Sequence, residues 1–246
     1  MTATTNEYPR LLRLEGACNA RDIGGYAAAG GKTVQTGRLF RADGLHRLTA
    51  QDQQLILGKG VRTIIDLRHA AELAQKPNVF AGTEGVNYIN ISLINPATAS
   101  MAQIRTLGDM YVNMLDECGH LLLQVFESIA AEEEQNVLFH CAGGKDRTGV
   151  VAALLLDLAG VDRAAIVADY AETEHNLAPL MQEFQAERPA GISAEQYQAF
   201  LGSAPANMEQ MLDHLYDRYN GAEAYLSQAG LSRAQLDAIK RKLLEA

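Results

Sequence analysis

Four short runs rich in β-branched and aromatic side chains, Arg38 to Ala42, Val61 to Leu67, Asn87 to Ile91 and Asn136 to Phe139, are bounded by turn residues and separated by helical periods. Strands that alternate with helices favour a parallel sheet, because a parallel neighbour is reached only through a crossover that a helix can fill. The expected fold class is α/β: a mostly parallel central sheet flanked by helices. Thr49 with Asp52 reads as a helix N-cap ahead of Leu55 to Leu57, and Leu107 to Glu134 carries apolar residues at helical spacing. After the last strand the pattern stays helical over Thr148 to Ala159, Ala164 to Glu174 and Met208 to Tyr219, with a final helix opened by Ser232 and Gln235. Gly160 stops the first of these helices.

Three of the six prolines, Pro179, Pro189 and Pro205, fall between Leu177 and Asn207, which predicts a loop-rich insertion or cap. No composition break or repeat divides the chain. The expectation is one domain over residues 1–246, with a core at 14–175, the insertion at 177–207 and a helical C-terminal part at 208–246.

The composition, 48% apolar and 21% charged, excludes a disordered or fibrous chain. Acidic residues number 30 against 21 Lys and Arg, a net charge of −9, so no global field draws the protein to nucleic acid or to an anionic membrane. Neither is expected as a partner, and an anionic substrate must be captured locally. No run approaches the roughly 18 apolar residues of a membrane span, and Met1 to Arg10 holds no apolar leader. The reading is cytoplasmic, although export without a cleaved signal leaves no mark in a sequence. Three scattered cysteines, Cys18, Cys118 and Cys141, suit free thiols.

Chemistry concentrates in Asn136 to Val150, N-V-L-F-H-C-A-G-G-K-D-R-T-G-V, where a strand enters a glycine-containing loop and then an apolar helix. Such a loop turns successive amides inward, and the helix adds its positive end, so Ala142, Gly143, Gly144, Lys145, Asp146 and Arg147 form a cradle for a phosphate-sized dianion. Cys141 opens the loop and Arg147 closes it. The field favours a thiolate at Cys141, a nucleophile beneath a bound phosphoryl group, and Arg147 can grip two of its oxygens. Thr148 can donate to the sulfur. His140 either orients the loop or is a satisfied core histidine.

The leaving oxygen needs a proton. The chain has no tryptophan and so no Trp-Pro-Asp loop to supply it, and Asp146 is the first expectation for general acid. Asp66, at the end of a central strand, is the alternative, either sharing that role or holding Arg147. Lys145 would add a cation for a second phosphate. Arg68 and Glu72 are expected as an ion pair, and Arg21 with Asp22 as a salt bridge, structural or functional, in a glycine-ended turn.

The segment His140 to Gly149 resembles the H-C-x-x-G-K-D-R-T-G loop of atypical bacterial tyrosine and phosphoinositide phosphatases, the mycobacterial protein tyrosine phosphatase B family. Asn19 to Gly25 is similar to its N-x-R-D-x-G-G element, Gly37 to Leu45 to its G-x-L-F-R-S-type strand, and Asp66, Leu67, Arg68 and Glu72 to its D-L-R-x-x-x-E. The resemblance spans about residues 14 to 175. It implies a phosphatase-type fold, a cysteinyl-phosphate intermediate, no metal and no cofactor, with phosphotyrosine as substrate and phosphoserine, phosphothreonine or phosphoinositide as further substrates.

Other readings are weaker. Tyr26 to Thr33 nearly spells a nucleotide-binding loop, but Tyr26 replaces its first glycine and a strand follows. The six histidines lack metal-ligand spacing. A rhodanese-type sulfurtransferase also uses a cysteine-headed loop but does not require Lys145 to Gly149, and an inactive phosphate-binding module need not retain Cys141 and Asp146.

Overall fold

In a computed structural model that describes residues 10–93, 105–188 and 193–244, the chain has a mixed α/β fold. The N-terminal half contains β1 (Arg21–Asp22), β2 (Leu39–Ala42), α1 (Ala50–Gly58), β3 (Val61–Asp66), α2 (Ala70–Gln75) and β4 (Asn87–Asn90). It continues through α3 (Leu107–Glu117), α4 (Gly119–Ala131), β5 (Asn136–His140), α5 (Asp146–Leu158) and α6 (Arg163–Asn176). The remainder is helical: α7 (Met181–Ala186), α8 (Ala194–Leu201), α9 (Pro205–Tyr219), α10 (Ala222–Ala229) and α11 (Arg233–Leu243).

The five strands make one sheet in the order β1-β2-β5-β3-β4, parallel except for β1 against β2. The α/β expectation holds, and β5 lies at the centre. Register places Ala42 beside His140 and Asp66 beside His140, so three strands end together at the rim from which the loop departs. Alternation along the strands divides the core. Val137 and Phe139 of β5, Leu39 and Ile65 face α3 to α6 and the C-terminal helices, whereas Leu138, Phe40 and Ile64 face Ile56 of α1 and Phe80. Helix α5 is buried from Thr148 to Leu156, which accounts for its nearly continuous apolar sequence.

Two expectations need correction, and one strand carried no expectation. The predicted helix over Leu107 to Glu134 is two helices broken at Cys118, and β1 has only two residues, too few to produce a periodic signal. The stretch expected as loop is mostly helical where described, because Pro179 and Pro205 occupy first-turn positions, where a missing N–H costs nothing. Pro189 lies outside the described residues. None of the described helices is long and apolar enough to cross a membrane.

Candidate active site

The loop between β5 and α5 is held from behind. Carbonyls of Cys141, Ala142, Gly143 and Gly144 meet, respectively, the Nδ1 of His140 at 3.1 Å, the amide of Gly44 at 2.9 Å, and the Asn19 side chain at 3.0 and 3.2 Å. The Arg41 guanidinium also donates to the Gly144 carbonyl, at 2.7 Å. In a trans peptide the N–H of the next residue points opposite to the carbonyl, so pinning these oxygens outward turns the following amides inward. Among the described residues none accepts a hydrogen bond from the amides of Gly143 to Arg147. Helix α5 begins at Asp146 without the side-chain cap that α1, α2, α3, α6 and α11 possess, which leaves its positive end free. Gly144 is required: its φ is +62°, and a Cβ would lie 2.4 Å from the Ala42 carbonyl oxygen. Cys141 is 2% exposed at the head of this loop.

Beneath the loop lies a buried ionic hub. Asp169 of α6 takes the guanidinium of Arg21 at 3.2 Å, that of Arg10 at 3.2 Å and that of Arg41, while Arg21 also bonds the Asn19 side chain. Burial lowers the Arg41 pKa to about 10, with Arg21 adding repulsion. Burial alone would raise Asp169, but the three arginines hold it below the usual carboxylate range. Asp22 takes another path: its carboxylate accepts the amides of Gly24 and Gly37 at 2.8 and 2.5 Å. The expected Arg21–Asp22 salt bridge is therefore replaced by Arg21–Asp169.

Arg147 is gripped by Glu72, its two terminal nitrogens at 2.7 and 2.8 Å from the two carboxylate oxygens. Burial would raise Glu72, yet the hydrogen bonds and charge of Arg147 lower it. The ion pair expected between Arg68 and Glu72 does not form. Arg68 instead bonds Asp66 at 2.9 and 2.7 Å, and Asp66 also accepts from Asn78 at 3.1 Å and Tyr88 at 2.9 Å, with His140 Nε2 at 3.1 Å. Fully buried and so surrounded, Asp66 is held well below the usual range, Arg68 and His140 outweighing the effect of burial. It does not hold Arg147, which is Glu72's role.

Asp146 is partly exposed and accepts the Tyr111 hydroxyl at 2.6 Å; Tyr111 in turn meets the Tyr170 hydroxyl at 2.8 Å. The side-chain oxygen of Asn207 takes the Gly108 amide at 3.2 Å. Because the Tyr111 hydroxyl donates to Asp146, the Tyr170 hydroxyl donates to Tyr111. Lys145, expected at the pocket rim, is 4% exposed and donates to the carbonyls of Phe200 and Gly202 at the end of α8. Asp146 lies 3.5 Å from its ammonium. The Thr148 hydroxyl, expected on the cysteine sulfur, is buried without a hydrogen-bond partner among the described residues.

Glu72, Tyr111 and Asp169 were not assigned these roles from sequence. Glu72 belongs to the D-L-R-x-x-x-E motif, whose spacing points to Arg68 and not to Arg147, whereas Tyr111 and Asp169 reach the loop only through tertiary packing and carry no local signal.

Comparison with known proteins gives the chain its relatives. A tyrosine-protein phosphatase of Nostoc commune is 37% identical over 223 residues, covering 84% of this chain and 74% of its own length. The triple specificity protein phosphatase PtpB of Mycobacterium tuberculosis is 27% identical, covering 95% of this chain and 99% of its own. Among solved structures, TpbA of P. aeruginosa aligns with 72% of this chain and 96% of its own, at 19% identity and a TM-score of 0.38. The family model described as tyrosine phosphatase family matches residues 12–245, and the chain therefore belongs to that family.

Proposed function

We propose that this protein is a cysteine-dependent phosphatase that hydrolyses phosphotyrosine in two displacements on Cys141. The observation that carries this reading is the ring of unpartnered amides from Gly143 to Arg147 at the uncapped start of α5, with Cys141 at its head. In the first displacement the sulfur attacks phosphorus, the P–O bond to the leaving group breaks, and Asp146 gives its proton to the departing oxygen. In the second, Asp146 takes a proton from water, the hydroxide attacks the cysteinyl phosphate, and the S–P bond breaks. The amides and Arg147 stabilise charge on the transferring oxygens, the largest contribution expected in phosphoryl transfer. Asp146 is favoured over Asp66 as proton donor because it is partly open at the loop, whereas the Asp66 carboxylate is buried among Arg68, Asn78, Tyr88 and His140.

The reach of the Lys145 ammonium away from the pocket removes the cation expected to read a second phosphate, which supports phosphotyrosine as the principal substrate. Activity on phosphoserine, phosphothreonine and phosphoinositides rests on the resemblance of the His140 to Gly149 loop to its family; the M. tuberculosis relative is named for triple specificity. A panel of p-nitrophenyl phosphate, phosphotyrosine, phosphoserine, phosphoinositide and thiosulfate with cyanide tests the reading. Turnover of the first two, lost by several orders of magnitude in Cys141→Ser and Arg147→Ala, is the expected result. Turnover of thiosulfate alone would establish a sulfurtransferase instead.

A further inference from the structure

A small cleft of about 110 Å³ opens beside Ala142, the residue after Cys141, walled by His46, Arg47, Lys76, Glu183, Phe184 and Glu187. Its cations come from the sheet side: Arg47 from the connection between β2 and α1, Lys76 from the end of α2, and Arg68, which is paired with Asp66. Two of its acids, Glu183 and Glu187, come from α7 and the residue after it, and a third, Glu72 of α2, is the brace of Arg147. Arg47 meets Glu183 at 2.5 Å, and Lys76 meets Glu187 at 2.6 Å and Glu183 at 3.4 Å. Among the described residues these are the only acids paired with Arg47 or Lys76.

Two features show that the glutamates are exchangeable occupants. The side chains of Arg47, Lys76, Glu183 and Glu187 are between 33% and 48% exposed, and pairs so open to water contribute little net stability. The His46 ring adds an orphan, for its Nδ1 is buried without a hydrogen-bond partner among the described residues. Burial lowers the His46 pKa, and Arg47, Lys76 and Arg68 lower it further against the opposing charge of Glu183. Glu183 and Glu187 are four residues apart, one helical turn, so the cleft already receives two carboxylates from one short peptide segment.

We propose that Arg47 and Lys76 form a second anion-binding subsite for acidic side chains that flank the phosphorylated tyrosine of a protein substrate, which displace Glu183 and Glu187 on binding. The proposal rests on the phosphatase reading and names its substrate class. Carboxylates are favoured over a lipid headgroup because carboxylates are what the cleft holds.

The test compares kcat/KM for two phosphotyrosyl peptides that differ only in glutamate or alanine beside the phosphotyrosine, with p-nitrophenyl phosphate run alongside. The wild-type protein is expected to prefer the acidic peptide by about tenfold at low salt, and the preference shrinks as salt screens it. Arg47→Ala with Lys76→Ala abolishes the preference, and Glu183→Gln with Glu187→Gln raises it about threefold by leaving the cations free. Equal kcat/KM for the two peptides in the wild-type protein, or a preference that survives the double alanine variant, overturns the subsite. A larger loss on phosphoinositide vesicles than on the acidic peptide also overturns it, in favour of a headgroup. Failure to turn over p-nitrophenyl phosphate overturns the phosphatase reading and the subsite together, whereas turnover without peptide preference overturns the subsite alone.

Discussion

Arg147 would have many rotamers if it were free, and the fork formed with Glu72 selects one of them. Removing that brace by Glu72→Ala should reduce kcat/KM for aryl phosphates by up to about 100-fold, since an ångström of misplacement at a transition-state group can cost that much. Unchanged steady-state kinetics in the variant would contradict the positioning role. Tyr111 offers a finer test, because its hydroxyl aims Asp146. Tyr111→Phe should lower kcat about tenfold for phenyl phosphate while sparing the activated p-nitrophenyl ester, whose departure needs little protonation, and KM should stay constant. An equal loss on both esters would mean that the variant only loosens the fold. At this scale the sequence made Cys141, Arg147 and Asp146 legible because they share one loop. The partner of Arg147 was misread because spacing along a helix reveals neighbours on that helix and not contacts across the sheet rim.

Lys145 couples two elements, the loop and α8, through the carbonyls of Phe200 and Gly202. Its ammonium lies at a helix C-terminus, where exposed carbonyls and the helix dipole favour a cation. Lys145→Ala should therefore speed amide hydrogen exchange across Ala194–Leu201 by about tenfold and weaken turnover of all substrates alike. Unchanged exchange with a selective loss of phosphoinositide turnover would return Lys145 to the pocket rim. The strands and the helices after β5 were readable from period and capping residues, as at Thr49 with Asp52 and Ser232 with Gln235, both of which form capping boxes. The segment from 177 to 207 was not. Its short helices α7 and α8 lack the length to show a period, and Pro179 and Pro205 look like breakers until they are seen to start helices.

Across the molecule, Asp169 ties the N-terminal segment, β2 and α6 to the back of the catalytic loop. Asp169→Asn would leave Arg21 and Arg41 buried without their counter-charge, a loss of about 3–5 kcal/mol that urea denaturation would register. Asp169 and Asp66 are both held below the usual carboxylate range, so each contributes stability that is fully present above about pH 4 and declines as pH falls toward its folded pKa. Thermal melting should therefore be steeply acid-sensitive below about pH 4, and part of that dependence should disappear in Asp169→Asn. A variant with an undiminished acid slope would contradict the assignment. The tyrosine phosphatase family match extends to residue 245, well beyond the part where sequence motifs could be recognised, because the C-terminal helices are specified by packing against α4 and α5 and not by short signatures. The most direct test of the central claim is to quench the wild-type protein in acid during turnover of p-nitrophenyl phosphate and map the trapped phosphoryl group by mass spectrometry. A cysteinyl phosphate on the Cys141 peptide, absent from Cys141→Ser, is the predicted result; turnover with no adduct there, or an adduct on another residue, would contradict it.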